Sequence, residues 1–241
     1  MPSSDAPKPG AMEQDPDSLI DARAGREYWQ SVSADVNGML GDIPSYKGFA
    51  NISRIDLQGS RAFLAKLGIG AEPGQKVASA VDGGAGIGRI TKGLLLRVAQ
   101  EVDVIEPMVK FTQALKRQPG LRNVYNVGLE EWQPAEGIVY DLVWTQWCVG
   151  HLTDEQLVHF LEICKGVLRP DTGVIVVKEN LATGGQDVYD GVDSSVTRQD
   201  SKYESIFKRA GLRIIKAEVQ RDMPQTPTLT LYPVKMYALK A

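Results

Sequence analysis

From residue 76 onward, short apolar runs alternate with stretches whose apolar positions recur at helical spacing. Strand-like runs fall at 77–82, 101–106, 122–127, 140–146, 173–179, 212–219 and 229–239. Helix-like stretches lie near 88–98, 108–117, 154–167 and 200–210. Parallel neighbours need a long crossover, so repeated strand–helix units predict a mainly parallel sheet with helices on both faces. No helix separates 212–219 from 229–239, so these last two strands are expected to pair antiparallel.

Ahead of residue 71 the pattern is helical only. One helix begins near Leu19 and carries Ala22, Tyr28 and Trp29; a short turn or helix spans Asp35 to Leu40 and ends at Gly41. Residues 42–50, with Pro44, Tyr46 and Gly48, read as a loop. A second helix places Ile55, Phe63, Leu64 and Leu67 on one face and closes at Gly68. Residues 1–17 hold Pro2, Pro7, Pro9 and Pro16 among small and acidic side chains and are expected to form a disordered tail. The remainder, 18–241, is read as one domain: a helical cover over 18–70 and a core over 71–241.

Composition narrows the classes. The chain has 241 residues, 43% hydrophobic and 24% charged, which is ordinary for a globular fold. Its formal net charge of −3 provides no basic excess for a nucleic acid. That charge resides in the first 17 residues, where Asp5, Glu13, Asp15 and Asp17 face Lys8 alone, so the remaining chain is formally neutral. Two cysteines, Cys148 and Cys164, suit a reducing compartment, and two histidines without CxxC or HExxH predict no metal site. No apolar run approaches the ~20 residues of a membrane span, and the acidic, proline-rich start does not resemble a leader. The expected location is the cytoplasm, with the nucleus as a second compartment.

The string Asp82-Gly83-Gly84-Ala85-Gly86-Ile87-Gly88-Arg89 follows a β-run and opens a helix. Glycines there permit a tight turn and let a ligand reach backbone N–H groups. Glu106 ends the next strand, 22 positions after Gly84, where nucleotide-binding α/β folds meet ribose hydroxyls. The third glycine is at Gly88, and Arg89 stands where a dinucleotide fingerprint needs glycine; G-K-[ST] is also absent. The resulting D-x-G-x-G-x-G resembles the motif of class I S-adenosylmethionine-dependent methyltransferases. In such a site Arg89 can pair with the methionine carboxylate, and Glu106 can accept both ribose hydroxyls.

The acceptor side follows the fourth core strand. Thr153 and Gln156 form a capping-box pattern, which puts Gln146 to His151 at the carboxyl end of a strand, where open α/β sheets bind ligands. Trp147 offers a flat wall, with core filling the competing role. His151 offers a group that titrates near neutrality, although a lone turn histidine is more often a plain hydrogen-bonding residue. His159 reads as an ordinary helix residue. Asn180 ends the next strand, and the loop after it carries Asp187, Asp190 and Asp193, which suit a cationic substrate or simply a solvated surface.

Together these strings resemble the eukaryotic protein α-N-methyltransferases that modify N-termini beginning Xaa-Pro-Lys after methionine removal. The resemblance spans Tyr28 to Leu239 and rests on Tyr28-Trp29, Val36-Asn37-Gly38-Met39-Leu40-Gly41, the glycine string, Gln146-Trp147 with Gly150-His151-Leu152-Thr153-Asp154, Leu168-Arg169-Pro170 and Val192-Asp193-Ser194-Ser195-Val196. It implies an α/β, Rossmann-like seven-stranded sheet with an antiparallel last strand and S-adenosyl-L-methionine as cofactor. It implies Gly84, Gly86, Arg89, Glu106, Pro107, Met108, Leu129, Glu130 and Gln146 on the cofactor. Asp193, His151 and Asn180 would be catalytic, holding the α-amine and assisting its deprotonation. Trp29, Leu40, Trp147 and Tyr232 would line the peptide channel, with Asp190 and Ser195 on the basic third residue. The implied partners are protein N-termini, ribosomal proteins among them, and a monomer is expected.

Three departures stand out. Glu106 replaces the family's common aspartate. Gly191 replaces one aspartate of the pair at the third residue, which relaxes the demand for lysine there. The loop between Gly41 and Asn51 is several residues longer and borders the pocket for the substrate proline. A class I methyltransferase of a small molecule is the competing enzyme and predicts an apolar acceptor pocket with no use for Asp190 and Asp193. An adaptor that has lost catalysis would lack Asn180, Asp193 or His151, and all three are present.

Overall fold

The fold is that of a computed structural model, which describes residues 14–227 and 229–241. The strands are β1 (Val77–Gly83), β2 (Ala99–Ile105), β3 (Leu121–Tyr125), β4 (Leu142–Gln146), β5 (Val174–Asn180), β6 (Val188–Asp190), β7 (Ser195–Thr197), β8 (Arg213–Val219) and β9 (Val234–Lys240). Seven form one sheet in the order β3-β2-β1-β4-β5-β9-β8. Strands β1 to β5 pair in parallel, and β9 runs antiparallel to both of its neighbours, β5 and β8. The seven anticipated strands and the antiparallel final pair are present. The last is shorter than its apolar pattern suggests, because residues 229–233 leave the sheet and turn toward the site.

The apolar runs bury both faces, as internal parallel strands must. Side chains alternate between the faces. Val81, Val143, Ile175, Val177, Tyr237 and Leu239 enter one core. Ala80, Leu142, Trp144, Val174, Val176 and Ala238 enter the other.

The helices are α1 (Ala22–Ser31), α2 (Val36–Met39), α3 (Ile52–Ala65), α4 (Leu96–Val98), α5 (Val109–Thr112), α6 (Asp154–Gly166) and α7 (Asp200–Arg209). A wide π-turn over Thr91–Leu95 leads into α4, so the stretch near 88–98 is helical but not uniformly α. The helix expected over 108–117 is a single turn, α5, followed by irregular turns. Thr153 and Gln156 form the expected reciprocal cap of α6. α3 packs Phe63 and Leu64 into the second core, and Ile52 joins Leu40 and Phe49 in a small cluster beside the site.

Two expectations need correction. Residues 1–13 of the anticipated tail lie outside the described residues, but its last part is ordered: Pro16–Leu19 form a 3₁₀ turn, and the Asp17 carboxylate accepts from Asp154 N–H at 2.8 Å. The helix N-terminus of α6 supplies a donor that suits this acid. The segment read as a loop after β5 instead contains the β6–β7 hairpin.

That hairpin is tied to the turn before α6 by Arg198. Its guanidinium is fully buried and donates to Asp154 Oδ1, Val149 O and Leu152 O. Arg198→Met leaves two buried carbonyls without this donor and removes one cation from Asp154. We expect a loss of about 3 kcal/mol in urea unfolding, the scale for breaking a buried charge network; a change within ~0.5 kcal/mol would contradict this role.

Candidate active site

The glycine loop sits between β1 and the π-turn. Gly84, Gly86 and Gly88 have φ of 68°, 54° and 76°, a region costly for residues with a Cβ. A Cβ on Gly84 would lie 2.4 Å from Cys148 Cβ, and one on Gly86 would lie 2.6 Å from Met39 Sδ. The loop is therefore pressed between the turn after β4 and the helical cover. Asp82 is buried and accepts from Thr91 Oγ; burial pushes its pKa up to about 7, opposed by that hydrogen bond. Its role is to join β1 to the π-turn.

Glu106 follows β2. Its two carboxylate oxygens accept from Gly86 N–H at 2.7 Å and Met108 N–H at 2.8 Å. A carboxylate has about four lone-pair sites, so acceptor capacity remains for two hydroxyls. Burial raises its pKa, while the two N–H donors oppose the rise.

Arg89 is restrained on two sides. Its Nη1 donates to Asp56 Oδ2 at 2.6 Å, and its guanidinium carbon lies 5.3 Å from the centroid of the Trp147 ring. Gln146 donates from Nε2 to Asp56 Oδ1 at 2.8 Å, and Lys178 Nζ also pairs with that oxygen. Burial alone would raise the Asp56 pKa, but Lys178 and Arg89 bring it below the usual carboxylate value.

The turn from Trp147 to His151 is pinned from below. The buried Glu179 Oε1 accepts from Cys148 N–H at 2.9 Å and Val149 N–H at 3.1 Å. Trp147 has φ 54°, an uncommon conformation for a bulky residue. His151 Nε2 accepts from Trp29 Nε1–H at 3.0 Å and lies 3.9 Å from Asp193 Oδ2. An acceptor Nε2 means a neutral ring with its proton on Nδ1. Burial lowers the His151 pKa, partly offset by Asp193, which agrees with the neutral form. Ser195 Oγ donates to Asp193 Oδ1 at 2.6 Å, leaving Oδ2 toward His151. Gly25 lets α1 approach: a Cβ there would lie 3.2 Å from the Asp193 carbonyl oxygen.

Two cavities meet here. Gly84, Gly86, Arg89, Glu106, Pro107, Met108, Leu129, Glu130 and Gln146 all line the first. Leu40, Asn180, Asp193, Ser195 and Tyr232 line the second. Trp29, Met39, Trp147 and His151 border both. Asp190 lines neither; it is exposed, and its Oδ1 accepts from Val192 N–H within the hairpin turn. It is nevertheless near the mouth, because the Tyr28 pKa is raised first by burial and then by Asp193, Asp190 and Asp42. The sequence reading did not single out Asp56, Met39, Gly25, Phe111 or Glu179 as site residues. The available signal was two consecutive charges, Lys178 and Glu179, in an otherwise apolar strand.

The residues fit one kind of ligand. A backbone cradle with no room for a Cβ, a carboxylate after β2 and a preset guanidinium after the loop match the adenosine and amino-acid ends of S-adenosylmethionine. With the sheet order and its one reversed strand, they define a class I S-adenosylmethionine-dependent methyltransferase. The chain belongs to the family described as AdoMet dependent proline di-methyltransferase, whose model matches residues 17–240.

It is 40% identical over 215 residues to "Alpha N-terminal protein methyltransferase 1" of Schizosaccharomyces pombe, covering 88% of this chain and 93% of that protein. It is 39% identical over 220 residues to the human "N-terminal Xaa-Pro-Lys N-methyltransferase 1", covering 89% and 93%. A solved SAM-dependent methyltransferase from Leishmania major superposes with a TM-score of 0.78 at 33% identity, over 92% of this chain and 86% of that one.

Glu179 generates a pH prediction. Burial pushes its folded pKa up to about 7, against an unfolded value near 4.3. The folded state thus binds the proton more tightly, and stability falls as pH rises through that window. Glu179→Gln should flatten the fall between pH 5 and 8 by about 2–3 kcal/mol in urea unfolding. A wild-type slope retained in this variant would show that Glu179 is not its source.

Proposed function

We propose that this protein methylates the α-amino group of protein N-termini beginning Xaa-Pro-Lys. The observation carrying this reading is the joining of the two cavities at Trp29, Met39, Trp147 and His151, with Asp193 and Asn180 on the far side. A small-molecule acceptor calls for an apolar pocket, whereas the second cavity presents Asp193, Glu179 and Asn180.

Glu106 would hold the ribose hydroxyls and Arg89 the carboxylate, with Gly84 and Gly86 admitting the backbone contacts. Pro107, Met108, Leu129 and Glu130 would wall the adenine end. S-adenosylmethionine, when bound, supplies an electrophilic methyl group on a sulfonium. Asn180 and Asp193 would orient the substrate amine toward the first cavity. Asp193 Oδ2, the oxygen not bonded to Ser195, would take the ammonium proton. His151 would stay neutral beside it; its Nε2 becomes a second acceptor only when the Trp29 N–H turns away.

A strong base is unnecessary. An α-amine has a pKa near 7.7–8.0, so roughly a tenth is neutral near pH 7, against about one in a few thousand for a lysine side chain. Most of the rate then comes from positioning. Leu40, Ile52 and Met223 exclude water along the channel. Substrate proline has a fixed φ and loses less entropy on binding.

The cationic third residue would meet Asp190 and Asp42, the acids at the mouth beside Tyr28. Gly191 supplies no side chain there, so arginine should be accepted beside lysine. Gly41 and Ile43 bring the lengthened loop into the channel wall, where it would read the first two substrate positions. The proposed acting species is a monomer. Ribosomal protein N-termini are the proposed cellular substrates, met in the cytoplasm and nucleus.

Mass spectrometry of Ala-Pro-Lys and Ala-Pro-Arg peptides incubated with enzyme and cofactor tests this. Methylation is expected on both, and none when the N-terminus is acetylated. Equal methylation of the acetylated peptide would sink the reading, since the acceptor would then be a side chain. Asp193→Asn should lower kcat by about 10²–10⁴ while cofactor affinity stays within a few-fold. Collapse of cofactor affinity instead would show the role to be misassigned.

A further inference from the structure

We propose that Asp56 is a positioning residue for the amino-acid end of the cofactor: it lines neither cavity, yet holds two residues that line the first. The proposal rests on the assignment of Arg89 to the cofactor carboxylate. Asp56 belongs to α3, in the helical cover, and is fully buried. Its Oδ2 accepts from Arg89 Nη1, and its Oδ1 accepts from Gln146 Nε2. Arg89 and Gln146 reach the cavity from different elements, one from the glycine loop and one from the end of β4. Asp56 is the atom-level link between them.

The charge arrangement gives the link a purpose. Within this cluster one carboxylate faces two cations, Arg89 and Lys178. Lys178 is satisfied away from the cavity, by Asp56 together with Ser60 Oγ at 2.9 Å and Gln220 Oε1 at 2.8 Å. Arg89 keeps donors beyond the one it gives to Asp56, and its side chain is 9% exposed and borders the cavity. A ligand carboxylate there would bring a second negative charge to the cluster. Holding the guanidinium between Asp56 and the Trp147 face removes the rotamer freedom that an unrestrained arginine would lose on binding.

The test is calorimetric titration of the full chain with S-adenosylhomocysteine and with 5′-methylthioadenosine, which keeps the adenosine and sulfur but lacks the amino-acid end. The wild type should bind the first more tightly. Asp56→Asn should weaken S-adenosylhomocysteine by roughly 10–100-fold, the scale of one charge-assisted contact, and leave methylthioadenosine within about threefold. Equal weakening of both ligands would show a general structural role and overturn the proposal; so would no weakening of either. A wild type that does not distinguish the ligands would instead overturn the Arg89 assignment. Should Asp56→Asn fail to fold, Asp56→Asn combined with Lys178→Met removes one of the buried cations and must show the same selective loss.

Discussion

The carboxyl edge of the sheet depends on how buried charge is settled there. Lys178 and Glu179 are buried consecutive residues of β5, an interior strand, and point to opposite faces. Each would be prohibitively placed without partners. Lys178 is satisfied by the cover, through Asp56 and Ser60 of α3. Glu179 is satisfied by backbone N–H groups of the turn that carries Trp147 and His151. One strand thereby fixes the cover on one face and the acceptor turn on the other.

The cover is consequently more than an apolar lid. α1 buries only Gly25, and apart from the Trp29 ring, which meets Phe111 and His151 edge-on, its attachments are polar. Asp21 N–H donates to Ser194 Oγ at 2.7 Å; Arg26 pairs with Glu130 and Glu131; Lys110 donates to the carbonyls of Gln30 and Val32. Several of these contacts are partly exposed and individually weak. α3, by contrast, sends Phe63 and Leu64 into the core. The segment bordering the cofactor cavity is thus held largely through polar contacts, while the segment carrying Asp56 is anchored in the core.

This division explains what was legible in the sequence. The glycine loop and Glu106 depend on local chemistry, backbone conformation and strand ends, and all nine residues assigned to the cofactor line one cavity. The strands were legible because an interior parallel sheet demands unbroken apolar runs. Leu229 and Leu231 mimic that pattern but serve the cluster around Phe49 and Ile52, which the pattern alone does not separate from a strand. Asp56 was invisible because its partners are 33, 90 and 122 positions away. The polar hairpin β6–β7 has too few residues to show a period. Asp190 was grouped with Asp193 by proximity in sequence, but the turn sends Asp193 inward and leaves Asp190 on the rim.

The acceptor site follows the same economy of local geometry. His151 is neutral, its Nε2 occupied by the Trp29 N–H, and burial keeps its pKa low. A ring already saturated in this way cannot be the main proton acceptor without first losing a hydrogen bond. Asp193 has one oxygen held by Ser195, while the other, 3.9 Å from His151 Nε2, accepts no hydrogen bond among the described residues. For a nucleophile that is partly neutral at physiological pH, a carboxylate with one available oxygen would be sufficient in the proposed reaction, to orient the ammonium form and accept its proton beside the adjoining cavity. On the proposed reading, proton transfer would fall to Asp193, and the His151–Trp29 pair would supply rigidity. Trp29 comes from the cover and His151 from the turn after β4, so the acceptor geometry is complete only when α1 is seated.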